Sequence, residues 1–204
     1  ELVMNLMMKN TLEKGLDITQ CAELYTIGVD GAGLAVVADS FAALYQRVEV
    51  EKIFTFDEIY SFIDSDFGER ARLIMLSSPR YCGGGVGDEW AKTVSESFTR
   101  IIKEQPMPKG RQLVPGLFSW SRTIEYGSVV GATPNGRRSG EPISHGANPT
   151  PGFRPDGAVT AQASGIAAVQ PGYGNPAPLQ LEFDPGVAME DGGLLLVEQL
   201  IKTH

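Results

Sequence analysis

The sequence predicts a mixed α/β fold, with helices in the first half and short irregular strands in the second. Three observations carry this. Apolar residues recur at helical spacing as far as about residue 105. Of 13 prolines, only Pro79 lies outside the stretch Pro106–Pro185, so long helices are excluded there. What remains between those prolines is a set of short β-prone runs joined by Gly/Pro loops.

The elements follow in order. Residues 1–14 read as one amphipathic helix stopped by Gly15, and Asp17 or Thr19 caps a short second one. The spacing Gly28-x-x-Gly31-x-Gly33 predicts a tight turn that ends this segment. A strongly apolar helix then runs from Leu34 through Leu44 and Val48. Thr55-Phe56-Asp57-Glu58 has the form of a capping box and opens a helix to about Asp64. Further helices are predicted over Glu69–Leu76 and Asp88–Lys103. Strands are expected at Leu113–Ser119, Ser128–Ala132, Val159–Ile166 and Leu179–Phe183. The organisation is therefore a helical part, 1–105, and a Gly/Pro-rich strand-loop part, 106–204, of one domain. Long structureless loops inside a domain point to a functional or assembly role.

Composition bounds the function. With 204 residues, 42% hydrophobic and 21% charged, the chain has ordinary globular composition. A formal net charge of -8, and no Lys/Arg run longer than two, argue against nucleic acid as a partner. No apolar run approaches a bilayer span, so no membrane contact is expected, and a cytoplasmic protein is the plain reading. The chain opens on Glu1 inside one helical pattern and closes at His204 inside another, Leu194 to Ile201. Neither pattern has a cap or breaker at its outer end, which predicts a chain cut from a longer one.

Local motifs are weak when taken singly. The glycine spacing at 28–33 is not the dinucleotide fingerprint, and no Lys-Ser/Thr follows it, so nucleotide binding is disfavoured. Cys82, beside Arg80 and a Gly-Gly-Gly run, is a candidate thiol, but a lone cysteine is more often a small apolar filler; Cys21 is weaker still. His145 and His204 are too few and too far apart to predict a metal site. Among Asp39, Glu125, Glu141, Glu182 and Asp184, nothing in the sequence marks an acid–base pair. No catalytic residue is assigned.

The sharpest signal is Gly131-Ala132-Thr133-Pro134-Asn135-Gly136-Arg137-Arg138-Ser139-Gly140-Glu141-Pro142, a charged turn with Glu141 in reach of two arginines. Taken with its neighbours, it resembles the glycyl radical enzymes, the superfamily of pyruvate formate-lyase and the glycerol and diol dehydratases. Pro134–Pro142 is similar to the family's Pro-Asp/Asn-Gly-Arg-Arg-x-Gly-Glu-Pro turn. Gly146-Ala147-Asn148-Pro149-Thr150-Pro151-Gly152 resembles its Gly-x-x-Pro-x-x-Gly loop, and Gly157–Ala161 its Gly-Pro-Thr-Ala segment. Asn175 to Pro185 resembles its Asn-Gly-Thr-Leu-Leu-Asn strand, with Pro176 and Pro178 added and Ala177 where several relatives have Thr. Upstream, Glu13–Ala22 and Ala38–Ala43 resemble its Glu-Lys-Gly-x-Asp-Ile-Thr and Ala-Asp-Ser-Leu-Ala-Ala segments.

The resemblance implies part of a ten-stranded α/β barrel surrounded by helices, enclosing a thiyl-forming Cys loop and a radical Gly loop. Neither loop's motif is present in this chain. Cys82 stands where the family has Tyr-Gly-Asn, and Cys21 where it has Gly, so neither inherits the thiyl role. By position on the strand, Asn175, Ala177, Leu179 and Gln180 are the candidate substrate-binding residues. No metal and no directly bound cofactor are expected; the glycyl radical would be installed in the full-length protein by a radical SAM activating enzyme. The other implied partners are a small-molecule substrate and a second copy, as a homodimer in anaerobic metabolism. The reaction would be that of a lyase, dehydratase, decarboxylase or formate acetyltransferase, with this chain inactive alone. The alternative is a non-catalytic assembly module that pairs with another chain.

Overall fold

The order of elements is set by two hydrophobic clusters and a pair of parallel strands. The computed structural model describes residues 2–152, 159–170, 176–181 and 184–203. Three short helices open the chain: α1 (Leu2–Met7), α2 (Thr11–Lys14) and α3 (Ile18–Cys21). The single helix expected over 1–14 is broken at Asn10, whose φ of 74° is left-handed, a conformation that asparagine tolerates. The Thr11 hydroxyl reinforces the break by donating to the Met8 carbonyl at 2.8 Å.

Strand β1 (Tyr25–Gly31) follows, where a turn was expected. It pairs in parallel with β2 (Arg111–Leu117), from Tyr25 opposite Arg111 to Gly31 opposite Leu117. Tyr25, Thr26, Ile27 and Val29 have the β-branched and aromatic character of a strand. Gly28 and Gly31 lie within the strand, and only Gly33 makes the turn, at φ 82°.

Helix α4 (Leu34–Leu44) buries Leu34, Ala35, Ala38, Ala42 and Ala43. These are mostly small side chains, so α7 (Val86–Lys103) can approach closely through Ala91. Past Leu44 the helix continues to Val50 with wider, π-type hydrogen bonding. Helix α5 (Phe56–Asp64) begins with the expected capping box: Thr55 Oγ1 accepts from Glu58 N–H at 3.2 Å, and Glu58 accepts from Thr55 N–H at 2.8 Å. Helix α6 (Glu69–Leu76) matches its predicted bounds. One cluster, Ala43, Ile59, Phe67, Ala71 and Met75, joins α4, α5 and α6. The other joins α4, α7 and β2 to Tyr81, Ala147, Val169 and Ala177.

The second half differs most from expectation. Ser128–Ala132 is not a strand: α8 (Thr123–Ser128) occupies its start, and the Val130 and Gly131 carbonyls that follow are taken by Arg137. Val159–Ile166 is also helical, as α9 (Val159–Ala168). Its Ala161, Ala163, Ala167 and Ala168 favour helix, and Pro155 and Pro171 bracket this stretch instead of interrupting it. In the stretch predicted as the last strand, residues 179–181 carry no strand ladder, and 182–183 lie outside the described residues. A short 3₁₀ turn (Pro185–Met189) leads into α10 (Gly193–Thr203). Among the described residues, no helix is long and apolar enough to cross a membrane.

Candidate functional site

Residues 176–181 lie against the outer edge of β2. Leu117 N–H donates to the Pro176 carbonyl at 3.0 Å, while the next amide, Phe118 N–H, turns the other way to Gly31 at 3.0 Å. The end of β2 therefore has β1 on one side and Pro176 on the other. The same alternation puts the Pro115 nitrogen on the side of Leu117 N–H, so its missing donor costs the β1 ladder nothing.

Asn148 holds the segment. Its Nδ2 donates to the Pro178 carbonyl at 2.9 Å, and its Oδ1 accepts from Gln180 N–H at 2.8 Å. A C=O and the N–H two residues on are the pair that one residue of a parallel neighbour would bond. The side-chain amide thus stands in for a strand. Gln162 of α9 spans the same groups, donating to Asn148 Oδ1 at 3.2 Å and to the Gln180 carbonyl at 3.0 Å. Gln170 adds a bond to the Ala177 carbonyl at 3.1 Å.

This fixes the placement of the predicted site residues. Ala177 is buried in the larger cluster, and Leu179 packs against that cluster from the same face of the segment. Gln180 is exposed, on the opposite face. Asn175 lies outside the described residues.

Beyond the end of β2, the loop 143–148 packs onto the strand. Gly146 touches the Leu117 carbonyl and Phe118 Cα, where a Cβ would not fit, and the His145 ring meets Phe118 edge-on at 5.8 Å. Ser119 Oγ, Ser144 Oγ and His145 Nδ1 are buried here with no protein partner among the described residues. Buried polar atoms of this kind take a water or a ligand group. Nothing in the sequence marks Ser119 or Ser144, because a serine reads alike at a surface and in a core.

A second polar constellation centres on Asp39, which is 2% exposed. Its carboxylate accepts from Tyr81 N–H at 2.8 Å, Thr150 Oγ1 at 3.0 Å and Arg80 Nη1 at 3.2 Å. Burial raises the Asp39 carboxyl above its ordinary range, and these three donors oppose that shift. Arg80 also caps α6, donating to the Leu76 carbonyl, and reaches the Asn135 carbonyl at 3.3 Å. The signal for Asp39 was present in the sequence: a lone carboxylate within an apolar helix needs buried partners.

In the charged turn, the two arginines do different work. Arg137 is buried and donates to the carbonyls of Val130, Gly131, Arg138 and Glu141. Arg138 is more exposed and pairs with Glu69 at 3.1 Å. Glu141 accepts from Arg138 N–H at 2.9 Å and lies 3.4 Å from Arg72.

Neither cysteine is poised to react. Cys82 is buried at φ 66°, against Gly165, and its thiol is pushed up to about 12, first by burial and then by Asp88. Cys21 is a buried free thiol at the end of α3. No group of His, Cys, Asp or Glu among the described residues could hold a metal ion.

The family model described as "Pyruvate formate lyase-like" matches residues 1–127. The chain belongs to this family, within the glycyl radical enzymes. As a pyruvate formate lyase-like chain, it is 25% identical over 207 residues to trans-4-hydroxy-L-proline dehydratase of Clostridioides difficile, covering 99% of this chain and 26% of that protein. It is 28% identical over 184 residues to isethionate sulfite-lyase of Desulfovibrio desulfuricans, covering 84% and 21% respectively. The glycerol-bound form of the B12-independent glycerol dehydratase from Clostridium butyricum superposes with a TM-score of 0.81 at 26% identity, over 98% of this chain and 26% of that one. The chain thus spans about a quarter of the length of these relatives, which are dehydratases and a lyase.

Proposed function

We propose that this chain forms barrel wall and part of the substrate pocket of a glycyl radical enzyme acting as a dehydratase or lyase on a small molecule. The observation that carries this reading is the hydrogen-bonded order β1, β2, 176–181. Two paired strands, with a third segment joined at the end of β2, would make neighbouring staves of the family's ten-stranded barrel. Asn175, Ala177, Leu179 and Gln180 would then contribute to the pocket wall, with the unpartnered Ser119, Ser144 and His145 at the end of the middle stave. A radical intermediate needs an enclosure that excludes water and competing hydrogen donors, and a wall of packed strands supplies one.

The radical itself would be carried elsewhere in the full-length enzyme, a cytoplasmic homodimer, and installed by a radical SAM activating enzyme. Neither the Cys-Val-Glu nor the Arg-Val-x-Gly-Tyr motif occurs in this chain, and Cys82 is packed against α9, so its residues do not fit the radical-bearing role. The chain alone is inert on this reading. The test is electron paramagnetic resonance after anaerobic treatment with an activating enzyme. Residues 1–204, placed in the matching quarter of the Clostridioides difficile dehydratase, should support a glycyl radical signal, and the isolated chain should give none. A signal from the isolated chain would overturn the proposal.

A second reading, a non-catalytic module that pairs with another chain, is favoured by exposed apolar side chains. Leu2, Leu6 and Met7 of α1 and Leu194, Leu196 and Ile201 of α10 all face solvent. It predicts a stable complex that needs no radical chemistry.

A further inference from the structure

The cavity between α6, the 133–142 turn and the loop at Thr150–Gly152 lies apart from the strand wall and is lined by three arginines. Its volume is about 550 Å³, and among the described residues Glu141 is the one carboxylate in its lining. We propose that this cavity binds a small free oxoanion, a phosphate or a molecule carrying a carboxylate or sulfonate, through the Arg72 and Arg80 guanidiniums with Arg137 behind them.

The charge balance is the first argument. Arg137 is 5% exposed, and among the described residues its guanidinium donates to four neutral carbonyls and to no carboxylate. Its Nε is buried without a partner among the described residues. The Glu141 and Asp66 carboxylates act on Arg137 through charge without bonding it, and a further anion nearby would add to that stabilisation of a buried cation. The nearer carboxylates are already committed to other donors. Asp39 is engaged by Arg80, Tyr81 and Thr150, and Glu141 gives one oxygen to Arg138 N–H.

Donor capacity is the second argument. A guanidinium has five N–H donors. Arg72 uses one on the Gly136 carbonyl at 3.1 Å and another on Glu141 at a long 3.4 Å. No other partner of the Arg72 guanidinium lies among the described residues, and Arg72 lines the cavity. Gly136, at φ 87°, packs closely on α6, since a Cβ there would press on Leu76 Cγ at 2.9 Å and on the Arg72 carbonyl at 3.1 Å, and this closeness sets Arg72 at the cavity edge. In a chain of net charge -8, such a cationic concavity is a local feature and not a consequence of composition.

The experiment titrates inorganic phosphate into the 204-residue chain by calorimetry, with sodium chloride at matched ionic strength as control. Saturable binding with a dissociation constant of about 1–10 mM is expected for phosphate alone. Arg72→Gln should weaken it by roughly tenfold or more, because a charge-assisted contact is lost. Glu141→Gln removes the competing carboxylate and should tighten it by about threefold. Should Arg72→Gln fail to fold, as judged by circular dichroism, Glu141→Gln decides the matter. Binding unchanged in Glu141→Gln, or no difference between phosphate and chloride, would overturn the proposal.

Discussion

Asp39 and Asn148 solve the same problem with opposite chemistry. Each is a single side chain that ties together segments far apart in sequence. Asp39 gathers Arg80, Tyr81 and Thr150 onto one buried charge. Asn148 gathers Pro178, Gln180 and Gln162 onto one neutral amide. The charged hub concentrates stability, because losing it strands a guanidinium and a backbone N–H together. The amide clamp instead copies a peptide group beside a strand segment in which Pro176 and Pro178 supply no N–H donors. The first design resists change, and the second fixes the position of a segment at modest cost.

This contrast makes Asp39→Ala the largest expected effect. It leaves Arg80 without its carboxylate and Tyr81 N–H without an acceptor, and breaking a buried pair of this kind costs about 3–5 kcal/mol. Urea denaturation of the two proteins measures it. A loss below about 1 kcal/mol would place this pair with surface salt bridges and remove the distinction drawn here.

Asn148→Ala should cost less, roughly 2–3 kcal/mol, as two backbone partners lose their bonds. Its effect should also be local. Faster amide hydrogen exchange is expected at Gln180, with little change in α4 or α7. Asn148→Asp keeps the acceptor for Gln180 N–H but sets a buried carboxylate against the Pro178 carbonyl, so it should cost at least as much as alanine. Uniform loss of protection across the chain would show that Asn148 is part of the core and not a clamp.

How legible each region was in the sequence follows the same division. Elements fixed by near neighbours could be read: the Thr55 capping box and α6 depend on residues within a turn or two. β1 could not, since its partner β2 is some eighty residues away and its glycines suggest a turn. α9 was misread for the opposite reason, with proline density outweighing a run of alanines. Family resemblance singled out 175–185 as a strand; the described residues 176–181 carry no strand ladder, and nothing in the resemblance says what holds them. Asn148 gains its role only when a segment 30 residues further on folds beside it. Asp39 sits between these cases, because a carboxylate among apolar helix residues announces a buried partner without naming it.

Asp17 extends the comparison to a charge that stays in water, and it carries the smallest expected effect. It caps α3, accepting from Thr19 N–H at 2.9 Å and Thr19 Oγ1 at 2.7 Å, and from Asn5 Nδ2 at 2.8 Å. These bonds favour the ionised form and hold its carboxyl down at about 2, against an ordinary 3.8, with Thr19 N–H the leading cause. The folded-state value is the lower one, so the stabilisation is fully present above about 3.8 and is lost as pH falls towards 2. Asp17→Asn still accepts from Thr19 but cannot titrate. Its stability should therefore fall less steeply than wild type across that window, and the two curves should approach each other at the acid end. Equal slopes would mean that the cap is not held by the ionised carboxylate. Asp39 should behave in the opposite sense. Burial raises its carboxyl, so charging it as pH rises works against the fold, where charging Asp17 works for it. A buried charge needs its partners to be tolerated at all, whereas an exposed one adds a small, pH-dependent increment.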